Sequence, residues 1–120
     1  MVGIDIIEVE RIDASDKFLE KIAFQEEIDF INKAKCDKLR KQKIAALFCV
    51  KESVMKALEM GAKSGVVFKD IQLCHEQSGK PFVVLHGKAL DKYNQCFAGK
   101  KIEVSLSHTE KYATAIAILM

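Results

Sequence analysis

Apolar residues alternate with small or polar residues at the start of the chain. Val2, Ile4 and Ile6 recur at every second position, with Asp5 between the last two. A period of two is typical of a β-strand, because successive side chains of a strand point to opposite faces. The pattern therefore predicts a strand over residues 2–9 that carries a carboxylate inside it.

The spacing of apolar residues then becomes helical. Residues 12–35 carry apolar positions three and four apart, with Asp13 or Ser15 as the cap and a break near residues 23–25. The strongest helical signal covers residues 37–60, where neither Pro nor Gly interrupts an apolar stripe and Gly61 supplies a stop. We therefore expect one long helix near the centre of the chain.

The remaining half mixes strands with one further helix. The pattern predicts a hairpin of two strands, over residues 67–75 and 82–86, and then a helix over residues 90–97. Two further strands follow, over residues 102–106 and 112–120, and residues 107–111 join them. Helices and neighbouring strand pairs do not alternate as regular βαβ units. We expect an α+β fold, with a mainly antiparallel sheet packed with one long central helix.

Length, composition and charge narrow the class of protein. The 120 residues, 49% of them hydrophobic, suit a single domain over residues 1–120. A net charge of +2 is not the basic footprint of a general nucleic-acid binder. No segment reaches the length of about 20 apolar residues that a membrane span needs, and no basic leader is present, so we expect a cytoplasmic protein. The four cysteines are widely spaced and are expected to be reduced, buried thiols.

Three residues are candidates for chemistry. Asp5 is acidic within an apolar strand, and Glu52 and Lys56 lie four apart on the long helix, so they share a face. One reading makes Glu52 and Lys56 an ordinary surface ion pair and Asp5 a polar strand end. In the other, Asp5 and Glu52 converge on one Mg²⁺ ion, which prefers oxygen ligands, and Lys56 faces the same phosphates.

Four segments in order resemble a known family. They are Gly3-Ile4-Asp5-Ile6 with Glu8 and Arg11-Ile12, Phe48-Cys49-Val50-Lys51-Glu52-Ser53 with Lys56-Ala57, Gly79-Lys80-Pro81, and Ser105-Leu106-Ser107-His108-Thr109. Together they resemble holo-acyl-carrier-protein synthase, of the 4′-phosphopantetheinyl transferase superfamily. The similarity spans nearly the whole chain, and it implies the fold of that family.

The resemblance implies an activity and its catalytic residues. Family members move the phosphopantetheine arm of coenzyme A onto a serine of an acyl carrier protein, release adenosine 3′,5′-bisphosphate, use magnesium and support fatty acid biosynthesis. They are typically homotrimers with active sites between subunits. By position, Asp5 and Glu52 correspond to the metal-binding and catalytic carboxylates, and Lys56 corresponds to the catalytic lysine near the pyrophosphate.

The resemblance also implies binding residues. Ser107, His108 and Thr109 join Lys56 as candidate coenzyme A contacts, although His108 has the alternative role of a polar turn residue. The candidate contacts to an acidic carrier protein are Arg11, Lys17, Phe18 and Lys21. For Lys17 and Lys21, a solvated surface position is an equal alternative.

The chain departs from the family pattern at two places. Leu47 stands where the family commonly has arginine, and Glu59-Met60-Gly61 stands where Gly-Thr-Gly is common. Other groups would then have to supply phosphate affinity, such as Lys51, Lys63 or a neighbouring subunit. Two rival functions are a noncatalytic α+β ligand-binding module and another metal-dependent phosphotransfer enzyme.

Overall fold

The described part of the chain, residues 1–61 and 64–120, contains five strands and four α-helices. The structure is a computed structural model that describes residues 1–61 and 64–120. In chain order the elements are β1 (Val2–Glu8), α1 (Asp16–Ile22), α2 (Gln25–Asn32), α3 (Asp37–Ala57), β2 (Ile71–His75), β3 (Pro81–Leu85), α4 (Gly87–Cys96), β4 (Ile102–His108) and β5 (Tyr112–Leu119). Lys63, which the sequence suggested as a phosphate contact, lies outside the described residues.

Two antiparallel sheets confirm the predicted fold class. The larger sheet has the order β1-β5-β4, and β2 pairs with β3 in a separate hairpin. Across the larger sheet, Ala115 of β5 pairs with Asp5 on one side and with Leu106 on the other. Asp5 therefore lies in the middle of an edge strand, where only one side of its backbone is paired within the sheet.

Helix α3 covers one face of the larger sheet. Ala113, Ala115 and Ala117 of β5 are buried beneath it, and α3 contributes buried side chains including Ile44 and Val54. Alanine side chains project little from a strand, so the helix packs close to the sheet. No helix within the described residues is long and apolar enough to cross a membrane.

A buried ammonium group joins α3 to its neighbours. Lys51 has no exposed surface, and its Nζ donates to Ile22 O at 2.8 Å, Ile71 O at 2.7 Å, Phe68 O at 3.2 Å and Glu27 Oε1 at 3.0 Å. Burial lowers the pKa of Lys51, and the charge of Glu27 opposes that shift. Lys51 is thus a structural residue and is not available to a phosphate, contrary to that sequence-based suggestion.

The carboxylate of Glu27 completes the same network. Glu27 Oε1 also accepts from Phe24 N at 2.8 Å, at the start of α2, and Oε2 accepts from Leu73 N of β2 at 2.9 Å. Every oxygen of this buried acid therefore has a partner, as a buried charge requires. The pair holds α1, α2, α3 and β2 in one arrangement.

Local backbone interactions shorten two of the predicted elements. Helix α3 ends at Ala57, before Gly61, because Glu59 adopts a left-handed conformation with φ of 58°. Glycine adopts the left-handed conformation without steric cost, whereas a residue with a side chain, such as Glu59, does not. Strand β2 begins at Ile71, since Asp70 Oδ2 accepts from Val67 N at 3.2 Å and closes a 3₁₀ turn over Phe68–Asp70.

Other boundaries agree more closely with the sequence. The break between α1 and α2 is confirmed, and Ser15 is the cap of α1, since its Oγ accepts from Phe18 N at 3.1 Å. The predicted join between the last two strands is too long, because β4 continues through His108. All four cysteines are free, but only Cys49 is buried.

Replacing Lys51 with Met is predicted to destabilise the protein. The variant leaves the Glu27 carboxylate buried without its cation, and breaking such a pair costs about 3 kcal/mol or more. Urea unfolding followed by circular dichroism measures the free energy of unfolding. The Lys51→Met/Glu27→Leu double variant should lose less than the sum of the two single losses, and additive losses would contradict the coupling.

Candidate functional site

The site lies where β1 crosses the carboxyl-terminal half of α3. Gly3 makes this crossing close: a Cβ at Gly3 would overlap Ser53 O, lie 2.7 Å from Ala57 N and lie 2.9 Å from Lys56 Cβ. No real Cβ tolerates such contacts with backbone atoms. The absence of a side chain at Gly3 therefore brings Asp5, two residues further along β1, next to the polar residues of α3.

Lys56 pairs with Asp5 across this crossing. Its Nζ donates to Asp5 Oδ1 at 3.2 Å and to Ile4 O at 3.0 Å. The Asp5 side chain is 16% exposed, whereas that of Lys56 is 52% exposed. The carboxylate is thus held in place and partly shielded, while the ammonium group remains accessible to solvent. The alternative of a surface pair between Glu52 and Lys56 is wrong, because Lys56 takes Asp5 as its partner.

Glu52 is the second carboxylate of the site. It lies one helical turn before Lys56 on α3, and its pKa is raised by burial and by the negative charge of Asp5, while Lys56 opposes the shift. The two acids are therefore close enough to repel each other. The structure brings Asp5, Glu52 and Lys56 together, as the sequence reading had them.

Cys49 is a member of this cluster that the sequence reading missed. Burial and the negative charge of the nearby Asp5 carboxylate raise the pKa of Cys49 to about 12. Its Sγ donates to Ala113 O at 3.4 Å. Cys49 precedes Glu52 by three residues, so helical spacing alone indicated that it shares the face of Glu52 and Lys56. The thiol is therefore buried and neutral near Asp5.

Asp5 and Lys56 border a shallow depression. Ile4, Asp5, Ile6, Lys56 and Thr114 line a volume of about 260 Å³. Thr114 Oγ1 of β5 donates to the backbone oxygen of Asp5 at 2.8 Å and so holds β1 against β5 at this point. Within residues 1–61 and 64–120, no group of three or more His, Cys, Asp or Glu is arranged to hold a metal. Two carboxylates and one ammonium group suit a cation and an anion that arrive together.

The residues Ser107, His108 and Thr109 lie apart from these carboxylates within one protomer. His108 is the last residue of β4, and its Nδ1 lies 2.9 Å from Gln42 Oε1 on α3. Gln42 precedes Glu52 by ten residues, a rise of about 15 Å along a helix. Thr109 Oγ1 accepts from Lys111 N and Tyr112 N, at 3.2 and 3.1 Å, and so shapes the turn before β5.

A cavity adjoins His108. It has a volume of about 170 Å³ and is lined by side chains of α2, α3, β2 and β4, including Lys43, Leu47, His75, Leu106 and His108. Leu47 gives this cavity part of its apolar wall. Lys43, one turn earlier on α3, is the lysine in the lining.

The residues suggested for carrier-protein binding lie near the start of the chain. Lys17 and Lys21 are exposed on α1, and Arg11 is exposed in a 3₁₀ turn that precedes it. Phe18 is half-buried, with its ring centroid 6.4 Å from that of Phe48 on α3. The three basic side chains are thus free of the core.

Comparison with known proteins gives the chain its relatives. Residues 1–117 match the sequence model of the 4′-phosphopantetheinyl transferase superfamily. A holo-[acyl-carrier-protein] synthase of a Thermoanaerobacter species is 43% identical over 125 aligned positions, which cover 98% of this chain and 84% of the relative. The similarity therefore extends over both proteins.

Solved structures have the same architecture. The holo-[acyl-carrier-protein] synthase of Helicobacter pylori in complex with coenzyme A matches with a TM-score of 0.81 and 28% identity, over 100% of both chains. The Bacillus anthracis synthase in complex with CoA (3′,5′-ADP) matches with a TM-score of 0.78 and 30% identity, over 98% of this chain and 93% of that one. On these grounds, the chain belongs to the 4′-phosphopantetheinyl transferase superfamily.

Proposed function

We propose that this chain transfers the 4′-phosphopantetheine arm of coenzyme A to a serine of an apo-acyl carrier protein and releases adenosine 3′,5′-bisphosphate. The observation that carries the proposal is the convergence of Asp5, Glu52 and Lys56 in a member of this superfamily. The coenzyme A in the related Helicobacter pylori synthase supports the same substrate here. Residues 1–120 act as one transferase domain in this proposal.

Asp5 and Glu52 fit a magnesium ion. Both offer hard oxygen ligands, and burial together with the charge of Asp5 raises the pKa of Glu52, so that a cation bound beside both acids would favour their ionised forms. Magnesium often takes only one or two protein carboxylates and receives its remaining ligands from water and substrate phosphates. When bound, the ion supplies neutralisation of the charge on the pyrophosphate oxygens.

The residues of the chain have distinct tasks in the transfer. The serine oxygen bonds to the phosphorus that carries the pantetheine arm, and the bond from that phosphorus to the bridging oxygen breaks. The electron pair leaves on adenosine 3′,5′-bisphosphate. Asp5, or a water beside it, accepts the serine proton. The half-exposed ammonium of Lys56 stabilises the departing phosphate by its charge.

The nucleotide is proposed to contact Ser107, His108 and Thr109 of a neighbouring subunit. Support comes from the distance between this segment and the carboxylates within one protomer. Gln42, which hydrogen bonds to His108, lies about 15 Å from Glu52 along α3. Ser107 and Thr109 are exposed at the end of β4, where a ligand bound to another subunit can approach.

The carrier protein is proposed to bind Arg11, Lys17, Phe18 and Lys21. The three basic side chains are exposed near the start of α1, and opposite charge on an acidic carrier protein favours encounter and register. Phe18 supplies apolar surface beside them. A cytoplasmic location and a role in fatty acid biosynthesis accompany this choice of partner.

The outer face of the larger sheet supports a homotrimer. Val2, Ile4 and Ile6 are 62%, 63% and 66% exposed on β1, and Ile116 and Ile118 of β5 pair with the first two. Such a contiguous apolar sheet face is typical of a surface that another subunit covers. Ile4 and Ile6 also line the depression at Asp5, so a subunit on this face would border the site.

Mass spectrometry of the carrier protein tests the transferase. Purified chain, coenzyme A, magnesium and an apo-acyl carrier protein should yield a phosphopantetheine-sized mass gain on one serine. Asp5→Ala and Glu52→Ala should lower the rate by at least about 100-fold, as expected when groups that stabilise transition-state charge are lost. Asp91→Ala, which removes an exposed carboxylate of α4, should keep the wild-type rate.

A missing mass gain with several competent carrier proteins and folded chain would contradict the transferase. Consumption of coenzyme A without a gain on the carrier would favour another phosphotransfer enzyme. Binding of coenzyme A without its consumption would favour the noncatalytic module.

Replacing Glu52 with Gln is predicted to stabilise the metal-free protein. Because folding raises its pKa, ionised Glu52 opposes folding; the penalty is complete above the folded-state pKa and is lost as the pH falls through it. At neutral pH, Glu52→Gln should raise the melting temperature by about 1–3 °C in the presence of a chelator. Differential scanning calorimetry measures the change. Added magnesium should raise the melting temperature of wild type but not that of Glu52→Gln. In chelator, a melting temperature of Glu52→Gln below that of wild type would contradict the prediction.

Replacing Ile4 with Glu is predicted to break the trimer. A charge on the buried interface of each subunit would lose its hydration without gaining a partner. Size-exclusion chromatography with light scattering should give three chain masses for wild type and one for Ile4→Glu. Val84→Glu, at an exposed apolar position of the separate hairpin, is the matched control and should remain trimeric. A monomeric wild type would overturn the assembly.

A further inference from the structure

The metal-free site already contains a cation. Lys56 Nζ donates to Asp5 Oδ1 at 3.2 Å and to Ile4 O at 3.0 Å. Asp5 Oδ1 belongs to one of the two carboxylates proposed to hold the divalent ion. The ammonium group therefore uses a carboxylate that the ion would also use.

We propose that Lys56 is a resident cation that competes with the divalent metal for Asp5, so that metal binding releases Lys56 toward the phosphates of coenzyme A. This inference rests on the proposed function. A carboxylate oxygen that coordinates a divalent ion has little remaining charge to offer an ammonium group, and the two cations repel each other. The divalent ion and the ammonium group therefore cannot both bind the Asp5 carboxylate strongly at the same time.

The side chain of Lys56 is suited to leave. It is 52% exposed, and among residues 1–61 and 64–120 its Nζ donates only to Asp5 Oδ1 and Ile4 O. Its stem of four methylene groups allows the ammonium group to swing by several Å at low cost. Lys51, with no exposed surface and four acceptors, is the opposite case on the same helix.

The charges around Lys56 favour the paired state without metal and the released state with it. Asp5 and Glu52 are the acidic groups that face it, and Cys49 beneath them stays a neutral thiol. Without metal, Lys56 offsets the repulsion between the two carboxylates. With a divalent ion bound, the cluster gains two positive charges, and Lys56 is then attracted to an incoming anion. Metal and coenzyme A should therefore bind with positive coupling.

Manganese binding measures the competition. Free Mn²⁺ is counted by electron paramagnetic resonance in wild type, Lys56→Met and Lys38→Met, without coenzyme A. Exposed ion pairs have modest strength, so Lys56→Met should bind Mn²⁺ about two- to fivefold more tightly than wild type. Lys38, which pairs with Glu110, lies about 27 Å earlier along α3, and Lys38→Met should bind like wild type.

Amine footprinting separates release of Lys56 from simple charge repulsion. Wild type is acetylated briefly with and without Mg²⁺, and the labelled peptides are quantified by mass spectrometry. An ammonium group freed from two hydrogen bonds is more available to the reagent, so Mg²⁺ should increase labelling of Lys56 about two- to fivefold. Labelling of Lys38 should stay constant.

Each remaining outcome overturns the competition. Equal Mn²⁺ affinities in wild type and Lys56→Met, or unchanged labelling of Lys56, would mean that the ion and Lys56 occupy the site independently; phosphopantetheine transfer by the same preparation would leave the proposed function intact. Absence of Mn²⁺ binding by every variant would remove the metal as well. An inactive preparation would then count against the proposed function too.

Discussion

The buried ammonium of Lys51 is the interaction on which the arrangement of this molecule depends. It meets the end of α1, the carboxylate of α2 and the backbone before and within β2, all from one position of the longest helix. Without these acceptors, a charged group in the core would cost several kcal/mol. Because Lys51 must face them, the rotation of α3 about its own axis is fixed. Glu52 and Lys56 are then turned toward β1.

The sequence specifies the elements of the fold better than their ends. Alternation at Val2, Ile4 and Ile6 predicts β1 correctly, and the uninterrupted apolar stripe predicts α3. The end of α3 was not predictable, since Glu59 gives no signal for the left-handed conformation that it adopts. The turn before β2 depends on a side-chain contact between Asp70 and Val67 N, which periodicity does not encode. The burial of Lys51 is not predictable in this way, because a charged residue is normally exposed.

The sequence predicts which residues form the site but not which of them contact each other. Charge and position make Asp5 and Glu52 candidates and the family resemblance supports their role as metal ligands, while their convergence depends on how β1 crosses α3. Helical spacing assigned Lys56 to Glu52, yet its partner comes from a strand 51 residues away in sequence. Spacing along a helix indicates only partners on that helix, so it cannot indicate that a residue of a strand is the partner instead. Cys49 was overlooked because a lone thiol is most often inert packing.

The crossing at Gly3 also limits how this protein can vary. Any side chain there would meet the backbone of α3, which cannot rotate out of the way as a flexible side chain can. A larger residue would push β1 outward and move the Asp5 carboxylate away from Glu52 by the same displacement. The position therefore has no substitution that trades a little stability for unchanged chemistry. In a library of random variants, fold and turnover should be lost together at this codon, as one failure with a single geometric origin.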